Sequence, residues 1–191
     1  IASITAPSTI TTTLATTATN AGITITRSRV AKIIDADFPG TVSGQFVEID
    51  GYVLIVDQTN GRIYNSDLGS VISWTANNYI TPNILSDTTI TVAKFKNNVI
   101  GFGSGSGEWF INTGNSPGSP LSRVSSLFNE IGIGIWSQDL NASLTSINGM
   151  IAWVGMANSA YPQYSLTPGI WLLRSETPER VSTQAIDNII A

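Results

Sequence analysis

The chain contains no cysteine and no histidine. Without cysteine there is no disulfide framework, no thiol nucleophile and no sulfur ligand for a metal. Without histidine the usual neutral-pH general base, the commonest metal ligand and every His-containing triad are gone. Charge is scarce too. Only 12% of the 191 residues are Asp, Glu, Lys or Arg, and the formal net charge is −4. So few cations give little grip on nucleic acid or anionic membrane, because each phosphate contact needs one. No apolar run approaches the roughly 20 residues that a membrane-spanning helix requires. There is no initiator Met and no basic-plus-apolar leader, and the first residue is Ile. That beginning reads as an internal stretch, or a trimmed product, of a longer chain.

What is abundant points to sheet. Hydrophobic residues make up 42% of the chain, which with so little charge argues against disorder. Ile and Thr, stiff at χ1, suit a pleated surface, while Gly, Asn and Ser suit tight turns. The expected fold class is all-β.

Residues 1–40 form a Thr-rich lead-in expected to carry one or two strands. Its first 22 residues are nearly uncharged and read either as a flexible, mucin-like segment or as β structure, for example a strand over 8–13. From Ile23 to Arg27 apolar and polar residues alternate with period two, the mark of a half-buried strand.

The body of the chain repeats. Phe46-Val-Glu-Ile-Asp50-Gly51-Tyr-Val-Leu-Ile-Val56 reads as strand, two-residue turn, strand, and Asp-Gly between apolar runs is a strong hairpin signal because a type I′ turn needs positive φ at both centres. Comparable hairpins are expected around Asn97-Asn98 and Asn148-Gly149. These dipeptides recur about every 50 residues, near the roughly 40–50 of one propeller blade, a four-stranded meander buried on both faces by radial stacking. Tyr52–Val56 and Met150–Val154, apolar nearly throughout, are the expected innermost strands. A β-sandwich also produces such spacing. Residues 41–191 hold about three blades, fewer than a closed ring needs, so the rest of the ring is expected from further chain. Near the end, Ser182 or Thr183 offers an N-cap for a short helix with Ile186, Ile189 and Ile190 on one side, needing a partner surface.

Candidate chemistry is thin. The glycine-rich stretch Gly101-Phe-Gly103-Ser-Gly105-Ser-Gly107 is followed by strand-like Glu108-Trp109-Phe110-Ile111, whereas a nucleotide loop needs a helix or a P-loop Lys there; it reads as a blade turn. Glycoside hydrolysis needs two carboxyls about 5 to 9 Å apart. Asp50 and Asp57 are accounted for by turns, and Asp35 and Asp37 flank a loop ending in Pro39-Gly40. Glu108 beside Trp109 is the best single acid. Asp57-Gln-Thr-Asn60-Gly61 has too few acids for a calcium loop and reads as a turn. The five tryptophans (Trp74, Trp109, Trp136, Trp153, Trp171) sit in strand-like text and are expected to pack the core rather than stack on sugars. No residue is expected to be catalytic, to bind a cofactor or to ligate a metal.

The order of segments from Phe46 onward resembles the tail-hub proteins of short-tailed bacteriophages, also called tail nozzle, tail tubular protein B or packaged-DNA stabilisation protein. The resemblance rests on the Asp50-Gly51-Tyr52 strand with Tyr64-Asn65-Ser66-Asp67-Leu68, then Trp74 with Thr81-Pro82-Asn83. Phe102-Gly103, Glu108-Trp109-Phe110 and Asn112-Thr113-Gly114 follow. Next come Ile131-Gly132-Ile133 with Ser137, then Asn148-Gly149 with Trp153-Val154-Gly155. Arg180-Val181-Ser182-Thr183-Gln184-Ala185-Ile186 closes the series. The family pattern has Arg-Ser-Thr where this chain has Gly105-Ser106-Gly107.

The resemblance implies a non-enzymatic virion protein. It would be a homo-oligomeric ring, usually a hexamer, below the portal and its adaptor, assembled in the host cytoplasm. Such a ring retains packaged double-stranded DNA, carries fibres or spikes, and passes DNA outward without sequence-specific binding. A mildly acidic, lysine-poor chain suits a conduit that must not clamp phosphates. The alternatives are a carbohydrate-binding or glycan-cleaving propeller using Glu108, and an adhesin-like β-sandwich.

Overall fold

The computed structural model describes residues 2–5, 9–12, 32–85, 87–134, 143–157 and 168–190, and the chain divides into two compact units, Ile1–Lys32 and Ile33–Ala191. In the first unit, β1 (Ala2–Thr5) and β2 (Thr9–Thr12) pair antiparallel, with Ile4 opposite Ile10. The strand expected over Ile23–Arg27 lies outside the described residues.

The second unit consists of antiparallel meanders. A first sheet runs β3 (Val42–Ile49), β4 (Tyr52–Asp57), β5 (Arg62–Ser66), β6 (Trp74–Ile80) in sequential order. A middle sheet runs β7 (Thr91–Phe95), β8 (Asn98–Phe102), β9 (Gly107–Asn112), β10 (Leu121–Asn129) in the same way. The third sheet centres on β13 (Met150–Ala157). On one edge of β13, β12 (Leu144–Ile147) covers its first half and β11 (Ile131–Ile133) its second; β14 (Gly169–Leu173) and β15 (Pro178–Arg180) follow on the other edge. A short helix, α1 (Gln184–Ile190), ends the described chain. No described helix is long and apolar enough to cross a membrane.

Two of the three expected hairpin tips fall where the dipeptides lie. Asp50 and Gly51 take φ of 50° and 85°, Asn148 and Gly149 take 50° and 76°, as a type I′ turn requires. The middle tip is shifted by one residue. Phe95 pairs with Asn98, so the turn is Lys96-Asn97 and Lys96 adopts φ 54°. Register explains the shift: this pairing sends Ala93, Phe95, Ile100 and Phe102 into one core cluster, and a one-residue slip would turn every side chain to the opposite face.

The middle sheet is covered on both faces. Toward the first sheet, Val92, Val99, Phe110 and Leu121 join Val47, Ile49, Leu54, Val56 and Ile63. Toward the third, Ala93, Phe95, Ile100, Phe102 and Trp109 join Ile131, Ile133, Ile151, Trp153, Trp171 and Leu173. Gly101 permits the close approach of the first sheet, since a Cβ there would sit 2.8 Å from Ile63 Cδ1. All four described tryptophans, 74, 109, 153 and 171, are core residues; Trp136 lies outside the described residues.

Two expectations are corrected. Tyr52–Val56 and Met150–Val154 are interior strands flanked on both edges, not the edges at which the sheets converge; β3, β7 and β12 are there instead. The apolar runs arise because a strand paired on both sides and packed on a face has no outlet for polar groups, whereas an edge strand can carry Gln45 and Glu48. The helix is also turned round. Asp187 is its buried residue, while Ile186 and Ile189 are exposed. A buried carboxylate with charged and hydroxyl partners, set out below, outcompetes one isoleucine face on so short a helix.

Candidate functional site

The three sheets converge along β3, β7 and β12, and a cleft of about 500 Å³ opens there. The local cause is a bulge. Val42 pairs with Asp57 but Phe46 pairs with Ile55, so Ser43-Gly44-Gln45 leaves the ladder, and a bulge re-aims its side chains. Gln45 thereby reaches both neighbours. Its Nε2 donates to the Leu144 carbonyl of β12 at 3.0 Å, and its Oε1 accepts from Thr91 Oγ1 of β7 at 2.7 Å. One amide ties the three converging edges together.

The rest of the cleft wall is mixed. Phe46 is 69% exposed, and Thr145 and Ser146 supply hydroxyls from β12. Lys94 and Glu48 face each other at 3.7 Å, both well exposed. The lining thus carries one cation and one anion, in balance. Near the β3–β4 tip, Asn112 Nδ2 donates to Asp50 Oδ2 at 2.9 Å, so the Asp50 turn residue also links the first sheet to the middle one.

Glu108 is not in the cleft. It lies on the opposite face of β9 from Trp109, is 2% exposed, and is committed to neighbours. Arg123 Nε donates to Oε2 at 2.9 Å, and the Ile84 backbone N–H donates to Oε1. Arg123 also donates to Asn83 Oδ1 at 2.6 Å and to the Thr81 carbonyl at 3.2 Å. The pair therefore fastens the 81–84 connection, which leads from the first sheet to the middle one. Glu108 meets a guanidinium here rather than a second carboxyl, the arrangement of a structural ion pair rather than of glycoside hydrolysis.

The glycine-rich stretch encloses a carboxylate of its own chain. The Gly105 N–H donates to Asp87 Oδ2 at 2.9 Å and Ser106 Oγ donates to Oδ1 at 2.9 Å. A Cβ on Gly103 would lie 2.2 Å from Asp87 Oδ2. Backbone N–H groups in such a concavity suit an anion, and Asp87 is that anion. The Gly103 carbonyl accepts from Ile133 N–H at 2.8 Å, so the same loop also anchors β11. Asp57 makes the expected turn: Gly61 N–H donates to its carbonyl at 2.8 Å, and Oδ1 and Oδ2 accept from Thr59 N–H and Asn60 Nδ2.

Sequence reasoning missed the cluster at the chain's end. Arg180 Nη2 donates to Asp187 Oδ2 at 2.7 Å, Ser182 Oγ donates to Asp187 Oδ1, and Ser182 Oγ accepts from the Ile170 N–H at 2.9 Å. The Arg-Val-Ser-Thr block is thus the clamp that holds α1 to β14, with Arg180 also lying over Trp171 at 5.9 Å. The signal was a lone acid among the isoleucines of a short helix.

Among curated protein sequences none matches the chain. A family model for phage stabilisation, described as bacteriophage P22 Gp10, β-propeller, matches residues 6–191. Meanders whose middle member is buried on both faces, a converging-edge cleft without a cationic grip, and that match agree, and the chain belongs to this β-propeller family of phage structural proteins involved in DNA stabilisation.

Proposed function

We propose that the chain is a subunit of a phage tail hub or nozzle, a homo-oligomeric ring that retains packaged double-stranded DNA, carries fibres or spikes and conducts DNA outward on ejection. Each of the three sheets over residues 41–191 serves as one blade, residues 1–40 act as a lead-in, and portal-adaptor proteins and tail fibres are the partners. A hexamer is the ring order that the family resemblance implies.

The observation that carries this proposal is the converging-edge cleft. Its walls combine the Gln45 amide, the Thr145 and Ser146 hydroxyls and the balanced Lys94–Glu48 pair. A polyanion with one charge per about 1.7 Å of axis is neither clamped nor strongly repelled by such a surface. The family's role in DNA stabilisation points the same way, toward retention of the genome within a virion.

The test is electron imaging of the full-length protein with mass measurement in solution. Closed rings of one stoichiometry are the expected result. A strictly monomeric product at high concentration would remove the ring, and the conduit with it.

A further inference from the structure

The sequence holds two Asn-Gly steps, Asn60-Gly61 and Asn148-Gly149. Each places a backbone nitrogen beside a side-chain amide carbon, and the glycine has no Cβ to obstruct their approach. The fold treats the two steps in opposite ways.

Asn60 is held at both ends of its amide. Nδ2 donates to Asp57 Oδ2 at 2.8 Å and Oδ1 accepts from the Arg62 N–H at 2.9 Å. The attacking nitrogen is engaged as well, since Gly61 N–H donates to the Asp57 carbonyl at 2.8 Å. Gly61 is buried, and a Cβ on it would stand 2.9 Å from Thr88 Cγ2 and 3.0 Å from the Thr89 nitrogen.

Asn148 and Gly149 form the exposed tip of the β12–β13 hairpin. The ladder closes with Ile147 opposite Met150, which leaves the Gly149 nitrogen beyond it. Beyond its two chain neighbours, no heavy atom lies within 4 Å of where a Gly149 Cβ would stand. The peptide can therefore swing into attack geometry by a local opening of the tip, the least costly kind of unfolding.

We propose that Asn148 is a spontaneous deamidation site and that the fold protects Asn60 from the same reaction. Hydroxide removes the Gly149 amide proton, the nitrogen bonds to Asn148 Cγ, and ammonia leaves. Water then opens the five-membered imide at either carbonyl, giving aspartate or isoaspartate at position 148. One water is consumed and one ammonia released, with no oxidant or cofactor.

Either product adds a negative charge to the tip. Isoaspartate also routes the main chain through an extra methylene, which a two-residue type I′ turn cannot accept without moving its strands. The strand so moved is β12, whose Leu144 carbonyl holds Gln45 in the cleft.

The test is incubation of the full-length folded protein at mildly alkaline pH, with peptide mass mapping over time. Position 148 should convert at least about tenfold faster than position 60, because each clamping hydrogen bond broken to reach the attack geometry slows the reaction by up to roughly that factor. In denaturant the two rates should converge. Asn148→Gln, which cannot close the five-membered imide readily, should remove the fast acidic species. Equal rates in the folded protein, a faster Asn60, or no conversion at either position would overturn the proposal.

Discussion

The middle and third sheets have nearly the same kind of sequence and opposite surroundings. In the middle sheet successive residues point to two covered faces: Val99 and Phe110 on one side, Ile100 and Trp109 on the other, all fully buried. In the third sheet Ile151, Trp153, Trp171 and Leu173 are buried against the middle sheet, while Ala152, Val154, Ile170 and Leu172 between them are only half-buried. Yet Ile151-Ala152-Trp153-Val154 is as continuously apolar as any strand of the middle sheet. A strand that faced water on one side would alternate apolar with polar. The difference teaches that burial here is conferred by the neighbouring sheet, and that the third sheet's sequence is written for a neighbour on its far face. That far face is where a further blade of the propeller would stack.

The largest way to break this comparison is a pair of truncations. Trp109→Ala removes a fully buried indole that also meets Phe95 edge-on at 5.7 Å, and should cost about 3–5 kcal/mol in denaturant unfolding of the isolated chain. Leu172→Ala on the half-buried far face should cost no more than about 1.5 kcal/mol there, since part of that side chain already meets water. If the two losses came out alike, the contrast between fully buried and half-buried faces would be empty. In assembled particles the Leu172 loss should grow.

A second comparison sets side by side an ion pair within the middle sheet, between β9 and β10, and one that joins the middle sheet to the first. Glu108–Arg123 is 2.9 Å long with a carboxylate 2% exposed, whereas Lys94–Glu48 spans 3.7 Å with side chains 39% and 58% exposed. Glu108→Gln keeps the shape but gives up the charged bond and should cost about 1.5–3 kcal/mol. Glu48→Gln should change stability by no more than about 0.5 kcal/mol, and less in high salt. Equilibrium unfolding of both variants at two ionic strengths checks the ranking; a comparable loss from Glu48→Gln would mean that burial does not set the strength of these pairs.

How much of this could be read from the residues follows from the range over which each signal acts. Asp50-Gly51 and Asn148-Gly149 were legible as turns because positive φ is a property of the dipeptide itself. The middle tip was misplaced because Lys96 carries no such signal; only the registry of Phe95 and Phe102 with a distant cluster selects it. Continuous apolar text identified β4 and β13 as buried, but burial cannot distinguish an interior strand from one at the converging edge. Gln45 was overlooked, since its importance comes from a bulge and from partners 46 and 99 residues away. Glu108 stands out in the sequence beside Trp109, yet its partner is Arg123 across the strand pair. The glycine-rich loop read as a turn, though nothing local announced that Asp87 would fill it.

The smallest effect sharpens the comparison at the hairpin tips. All three tips place an L-residue at φ near 50°, namely Asp50, Lys96 and Asn148. That conformation strains an ordinary side chain by roughly 1 kcal/mol and Asn or Asp by less, because their short polar groups bond locally. Lys96→Gly relieves the strain, gives back part of it as chain entropy on unfolding, and loses an exposed contact between the ammonium and the Phe95 ring at 5.2 Å that is worth about 0.5 kcal/mol. The balance should be a gain of no more than about 0.5 kcal/mol. Asn148→Gly should be close to neutral. Asp50→Gly should be destabilising, because it also removes the acceptor for Asn112 that joins the first sheet to the middle one. Unfolding midpoints of the three variants should therefore fall in the order Lys96→Gly, Asn148→Gly, Asp50→Gly. Equal midpoints for Asn148→Gly and Asp50→Gly would mean that turn strain alone, without contact between sheets, governs the tips, and a lowest midpoint for Lys96→Gly would remove the strain argument. The unfavourable residue stands in the middle sheet, where cover on both faces is greatest and such strain is most easily carried.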